Sequence, residues 1–118
     1  VALAATSTSC GRFQRFNYRH CGRCVPCQVR RAAFLAWGKG DPTDYVFEPL
    51  GRDDHEHAGF DDVRSVGMAL AAVKGGSFDE WLGSALSWPR LDDRDALKDM
   101  LRRGLAELGA LHAKYGVK

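Results

Sequence analysis

The chain has 118 residues, 45% of them apolar and 27% charged, which suits one folded domain with a single core. No apolar run approaches the roughly 20 residues of a membrane span. The opening Val-Ala-Leu-Ala-Ala-Thr-Ser-Thr lacks the basic and long apolar regions of a secretory signal, so a cytoplasmic protein with no membrane contact is expected. The missing initiator Met leads us to expect a piece of a longer protein. The net charge of +2 conceals an imbalance. Residues 1–40 carry Arg12, Arg15, Arg19, Arg23, Arg30, Arg31 and Lys39 and no acid, whereas all 15 acids lie in residues 41–118. Two explanations compete: an anionic partner such as nucleic acid, a nucleotide or an acidic surface, or compensation for a metal–thiolate centre of net negative charge.

Residues 1–8 read as a short strand ending near Thr6 and Thr8. Residues 9–20 read as an irregular loop that interleaves arginines with Phe13, Phe16 and Tyr18. That alternation suits either a stacking surface for bases or a loop closed by a metal at both ends. From about Cys24 the period turns helical, with Val25, Val29, Ala32, Ala33, Ala36 and Trp37 on one face and Arg30 and Arg31 on the flank and polar face. Pro26 suits the first turn, and Gly38 and Gly40 end the helix.

A Gly-, Pro- and acid-rich loop over 38–59 follows, with Tyr45-Val46-Phe47 as a brief extended piece. Three more helices are predicted. The first is capped by Asp61 or Asp62, carries Val63, Val66, Met68, Ala69, Leu70 and Val73, and ends at Gly75-Gly76. The second opens on a Ser77/Glu80 capping box and holds Phe78, Trp81, Leu82 and Leu86 before Trp88-Pro89. The third starts at Asp92 or Asp93 and buries a stripe of Leu97, Met100, Leu101, Leu105, Leu108 and Leu111, with Lys114 in its last turn and Gly116 past its end. Met100 and the tryptophans are expected in the core. The predicted fold is mainly α: a stapled, cysteine-bearing N-terminal loop plus about four helices. Residues 1–47 would form the cysteine-bearing segment and 48–118 a helical extension.

All four cysteines, Cys10, Cys21, Cys24 and Cys27, fall in the first 27 residues, three of them spaced Cys-x2-Cys-x2-Cys. That crowding is poor disulfide geometry and good metal geometry. Gly22 eases the turn, and the helix start behind it offers N–H donors and a favourable dipole to thiolates. Four sulfur ligands leave no open position, so the expected Zn2+ is structural and not catalytic. An iron–sulfur cluster is the rival, although its common bacterial run places the fourth cysteine downstream. His20 is expected beside the metal or in solvent, and His55 and His57 in a solvated loop, with a divalent-ion site there as the lesser reading.

The run Cys21-Gly-Arg-Cys-Val-Pro-Cys-Gln-Val-Arg-Arg-Ala-Ala-Phe, followed by Gly38 and Asp41-Pro42-Thr43-Asp44-Tyr45, resembles the C-terminal zinc segment of the 7-cyano-7-deazaguanine synthases and their QueC-like relatives. The matching elements are Cys10 after the opening segment, Cys21, Cys24, Cys27, Arg30, and Asp41 through Tyr45, over about residues 5–47. The wording is most similar to QueC-like proteins of Qat-type anti-phage systems. The resemblance implies zinc ligands Cys10, Cys21, Cys24 and Cys27. It also implies an α/β parent with a pyrophosphate-loop domain, which activates a carboxylate as an adenylate and converts it with ammonia to an amide and then a nitrile on a deazapurine. The Ser-Gly-Gly-x-Asp-Ser phosphate loop does not occur in these 118 residues, and Gly75-Gly76-Ser77 does not replace it. This chain alone is therefore expected to be non-catalytic. Its expected partner is the N-terminal domain of the parent or another subunit, a second copy included. The alternative is a free-standing zinc-ribbon-like module that binds nucleic acid through Arg12, Arg15, Arg19 and Arg23.

Overall fold

The computed structural model describes residues 2–51, 61–76, 78–83 and 94–117. Five helices lie among them: α1 (Ala2–Thr6), α2 (Val25–Trp37), α3 (Asp61–Gly75), α4 (Phe78–Leu82) and α5 (Arg94–Lys114). The mainly helical class expected from the sequence holds, and α2 to α5 are the four predicted helices. None of the described helices is long and apolar enough to cross a membrane. His55, His57, Ser77, Leu86, Trp88, Asp92 and Asp93 lie outside the described residues.

The strand expected over residues 1–8 is a helical turn instead. Alanine is the strongest helix former, and Ala2, Ala4 and Ala5 dominate this stretch. Its last carbonyls are satisfied from outside the segment. Arg30 Nη2 donates to the carbonyls of Ala4 and Ala5 at 3.0 Å, and Arg30 Nη1 to that of Ser7 at 3.0 Å. A strand would have needed an edge to pair with, whereas a guanidinium fork caps a helix end directly.

Helix α2 organises the rest. Cys24 is its N-cap in extended conformation, Pro26 sits in its first turn, and Gly38 at φ 78° closes it by donating to the carbonyls of Phe34 and Leu35. Its orientation differs from the apolar stripe expected. Val25, Val29 and Trp37 are 40–50% exposed, while Cys27, Gln28, Arg30, Arg31, Ala32 and Phe34 are buried. The sulfur cluster pulls in one side of the helix and α5 covers another. Both arginines are buried because their guanidinium groups meet carbonyls, a hydroxyl and aromatic rings.

Ala32 of α2 joins Leu50, Val63 and Leu111 in the main apolar core, with Leu108, Tyr115 and Val117 packed against it. The buried residues of α3 are Val63 and Val66, and those of α5 are Leu111 and His112. Each helix thus meets the core at one end. This is why Met68 is 66% exposed and Met100, expected in the core, is 50% exposed; Trp81 of α4, also expected in the core, is 37% exposed. Asp61 and Asp62 are inside the first turn of α3 and are not its N-cap. The Asp62 carboxylate instead accepts the N–H of Val25 at 2.8 Å, closing the start of α2. At its far end α5 finishes in a Schellman turn. Gly116 at φ 67° donates to the carbonyl of Ala113, and Val117 to that of His112.

Candidate metal centre

The four cysteines are free and buried, and their Sγ atoms all lie within 4.8 Å of one another. Cys21 and Cys27 sulfurs are 3.9 Å apart, and Cys24 and Cys10 sulfurs 3.8 Å. A tetrahedron with metal–sulfur bonds near 2.3 Å has edges of about 3.8 Å. Two of the six sulfur–sulfur edges match that length and the others stay within 4.8 Å, a spacing compatible with one tetrahedral metal ion.

The backbone around them is shaped for charged sulfur. Cys10 Sγ accepts the N–H of Arg12 and of Cys21, both at 3.3 Å. Cys21 Sγ accepts those of Arg23 at 3.4 Å and Cys24 at 3.3 Å. Cys24 Sγ accepts from Cys27 and Gly11, and Cys27 Sγ from Gly22. Such donors favour thiolate over thiol. Four thiolates cannot share so small a volume without a cation. Hydrogen bonds from the Cys24 and Cys27 thiols draw the Cys21 thiol down, while the bond with Cys21 pushes Cys24 up to about 11, and the bonds with Cys21 and Cys24 push Cys27 up. A divalent metal removes that conflict by charge, which is the physical case that this donor set fits one.

The turn between Cys21 and Cys24 is held tightly. Gly22 has φ 93°, and a β-carbon there would stand 2.4 Å from the Phe47 carbonyl oxygen and 3.1 Å from the Tyr45 Cβ. The close approach is that of the Tyr45-Val46-Phe47 segment, which runs parallel to His20–Cys21. Val46 and Phe47 donate to the carbonyls of His20 and Cys21 at 2.9 Å, and His20 and Tyr45 form a β-bridge. The brief extended piece expected from the sequence is thus present. Phe13, Phe16 and Phe47 pack round the cysteines.

His20 is not one of the converging ligands. It is buried, and its Nε2 accepts the N–H of Ser9 at 3.3 Å. Burial and the Arg30 charge hold its imidazole below the ordinary value, which keeps that acceptor available. It packs edge-on to Phe13 and Tyr45, a neighbour of the site as its adjacency to Cys21 suggests.

The polar residues beyond the cysteines in the shared pattern form one connected lattice. Asp41 accepts the N–H of Thr43 at 3.0 Å and the Tyr45 hydroxyl at 2.6 Å. Thr43 Oγ1 accepts Arg30 Nε at 2.9 Å, and the Arg30 fork reaches back to α1. Burial would raise the Asp41 carboxyl, but hydrogen bonds from Tyr45 and Thr43 outweigh it and hold it below the usual carboxylate range. Burial and the bond to Asp41 push the Tyr45 phenol up, so it stays a neutral donor. Arg31 donates to the carbonyls of Gly22 and Glu48 and lies over the rings of Tyr45 and Tyr115, at 4.9 and 4.5 Å. The sequence reading placed Arg30 and Arg31 on the flank and polar face of the helix. Only the repeated carbonyls of a turn-rich neighbourhood signalled otherwise.

Of the four arginines expected on an anion-binding face, two have partners within the chain, Arg19 in an exposed ion pair. Arg19 pairs with Asp44 at 3.1 Å, and Arg23 donates to the Pro49 carbonyl at 2.8 Å with its guanidinium 4.9 Å from the Phe47 ring. Arg15 is exposed, and so is Tyr18, at 68%. A cleft of about 350 Å³ beside α2 is lined by Arg31, Phe34, Lys39, Asp41, Tyr45 and Tyr115 among others and by none of the cysteines. The sulfurs do not open onto it.

Two curated proteins share a stretch with this chain. It is 48% identical over 42 residues to a 7-cyano-7-deazaguanine synthase of Methanococcus maripaludis, and 43% identical over 42 residues to one of Methanococcus vannielii. In both cases the aligned stretch is 36% of this chain and 18% of the relative. The similarity thus reaches less than a fifth of the relatives' length. No family profile and no solved structure matches the chain.

Proposed function

We propose that this chain is the structural zinc-binding region of a QueC-like protein and is not itself catalytic. Cys10, Cys21, Cys24 and Cys27 would hold one Zn2+, which ties the N-terminal loop to the start of α2 and contributes its binding energy to folding. The observation that carries this reading is the convergence of four buried sulfurs within 4.8 Å of one another, two pairs of them at 3.8 and 3.9 Å, each supplied with backbone N–H donors. The stretch shared with two 7-cyano-7-deazaguanine synthases supports the same assignment. The parent would be an ATP-dependent ligase of the cytoplasm that converts a carboxylate on a deazapurine to a nitrile, or a defence paralogue acting on another substrate. Its pyrophosphate-loop domain, in the same chain or in another subunit, would be the partner. This reading is favoured over the nucleic-acid module because Phe13 and Phe16 pack on the cysteine cluster and Arg19 and Arg23 are engaged within the chain.

Elemental analysis of the purified chain tests the site. One zinc per chain and a colourless preparation are expected; stoichiometric iron with visible charge-transfer absorption would overturn it. The parent is tested separately by the coding sequence upstream of Val1, where a Ser-Gly-Gly-x-Asp-Ser motif is expected. Salt-sensitive binding of RNA or DNA by the zinc-loaded chain would favour the module instead.

A further inference from the structure

Two carbonyls inside the Cys21–Cys24 turn are gripped by side chains of α2. Arg31 Nη1 donates to the Gly22 carbonyl at 2.8 Å, and Gln28 Nε2 donates to the Arg23 carbonyl at 2.8 Å. Gln28 is fully buried and Arg31 nearly so. Each of these side chains is in turn gripped by the far end of the chain. Gln28 Oε1 is 2.7 Å from His112 Nε2. The amide nitrogen must face the Arg23 carbonyl, so its oxygen must face the histidine, and the proton sits on Nε2. Tyr115 lies under the Arg31 guanidinium, with its hydroxyl 3.2 Å from Glu48 Oε1, and the Glu48 carbonyl accepts from Arg31.

We propose that the end of α5 and the turn that follows it are a clamp on the metal centre, acting through two relays: His112–Gln28–Arg23 carbonyl and Tyr115–Arg31–Gly22 carbonyl. His112 and Tyr115 are positioning residues. Neither reaches a sulfur. Both fix the turn whose N–H groups point at Cys21 and Cys27 sulfurs. The helical extension thereby acquires a role: it sets how long the ion is retained. Groups that orient metal ligands at one remove commonly change metal affinity by about 10–100-fold when altered. The inference rests on the zinc reading above, but the geometry of the two relays is independent of which ion is bound.

The test uses the full zinc-loaded chain and follows zinc release to a chromogenic chelator, together with amide hydrogen exchange at Arg23 and Cys24. His112→Ala and Tyr115→Ala should each speed release about tenfold or more and raise exchange at those amides. His112→Gln, which can still donate to Gln28, and Tyr115→Phe, which keeps the ring on Arg31, should remain within about threefold of the parent. Leu105→Ala, in the middle of α5, provides a chain of comparably lowered stability whose release rate should stay near the parent's. Release and exchange that do not distinguish the alanine variants from the Leu105→Ala chain would overturn the clamp. A parent chain that takes up no zinc would sink the metal assignment alone, and the exchange data would still decide the relays.

Discussion

Gly22 and Phe47 stand so close that there is no room between the Gly22 Cα and the Phe47 carbonyl oxygen for a side chain: a β-carbon would lie 2.4 Å from that oxygen. The clash is with backbone, which cannot rotate away, and the φ of 93° is itself costly for any L-residue with a side chain. Gly22→Ala is expected to cost at least about 2 kcal/mol. It would also push the Tyr45–Phe47 segment off the Cys21 turn. A denaturation midpoint equal to the parent's, with full zinc content, would contradict this account.

Much of the site was legible in the sequence because its signals are local. Cys-x2-Cys-x2-Cys, the glycine at position 22 and the proline at 26 each state a backbone requirement within a few residues, and all were met. The helices α2 to α5 were legible for the same reason. What was not legible depended on partners far along the chain. The alanines of Ala2–Thr6 permit a helix, but the cap that satisfies its end, Arg30, lies about 25 residues away. Arg30, Arg31 and Gln28 are buried because carbonyls from three different segments converge on α2, and no period in α2 announces that. The exposed Val25, Val29, Trp37, Met68 and Met100 show the same effect in reverse. A helix held by polar contacts, as α2 is, or meeting the core at one end, as α3 and α5 do, need not bury its most apolar stripe.

Arg30 joins three segments with one side chain: α1 through the Ala4, Ala5 and Ser7 carbonyls, Thr43 in the loop, and α2 itself. Lysine has one donor centre and cannot span these acceptors at once. Arg30→Lys is therefore expected to release α1 while leaving the cysteine cluster loaded. The check is amide exchange and limited proteolysis. Residues 2–8 should lose protection, the overall loss should be about 2 kcal/mol, and zinc content should be unchanged. Protected amides at Ala5 through Ser7 in the lysine variant would refute the capping role.

The Asp41 carboxyl is held below its ordinary value by hydrogen bonds it accepts from Tyr45 and Thr43 against the opposing effect of burial. A depressed carboxyl stabilises the fold above the unfolded pKa of about 3.9 and loses that contribution as pH falls through the lower folded value. Asp41→Asn keeps one carbonyl oxygen for two donors. It should therefore cost about 1 kcal/mol at neutral pH, and the gap to the parent should close as pH falls below about 4. Taking the difference between the two chains cancels proton uptake by the cysteines, which both share. A gap that is constant from pH 7 to pH 3, or that widens in acid, would show that the carboxylate charge contributes nothing.

The bond from the Val25 N–H to Asp62 links the first turn of α2 to the first turn of α3, 37 residues later. The N–H of Val25 is among those that α2 cannot satisfy internally, and the carboxylate adds a charge favourable to the helix dipole just behind Cys24. A borrowed cap of this kind is worth about 1 kcal/mol. Asp62→Ala should lower stability by that amount. Asp62→Asn, which can still accept the N–H, should recover more than half of it. Asp61→Ala provides the comparison, because Asp61 faces solvent in a weak 3.8 Å contact with Arg64 and should change stability by only a few tenths of a kcal/mol. Chemical denaturation of the three zinc-loaded variants measures the series. Equal losses for Asp61→Ala and Asp62→Ala would mean that both acids act only on the dipole of α3, and that α2 begins without help from its neighbour.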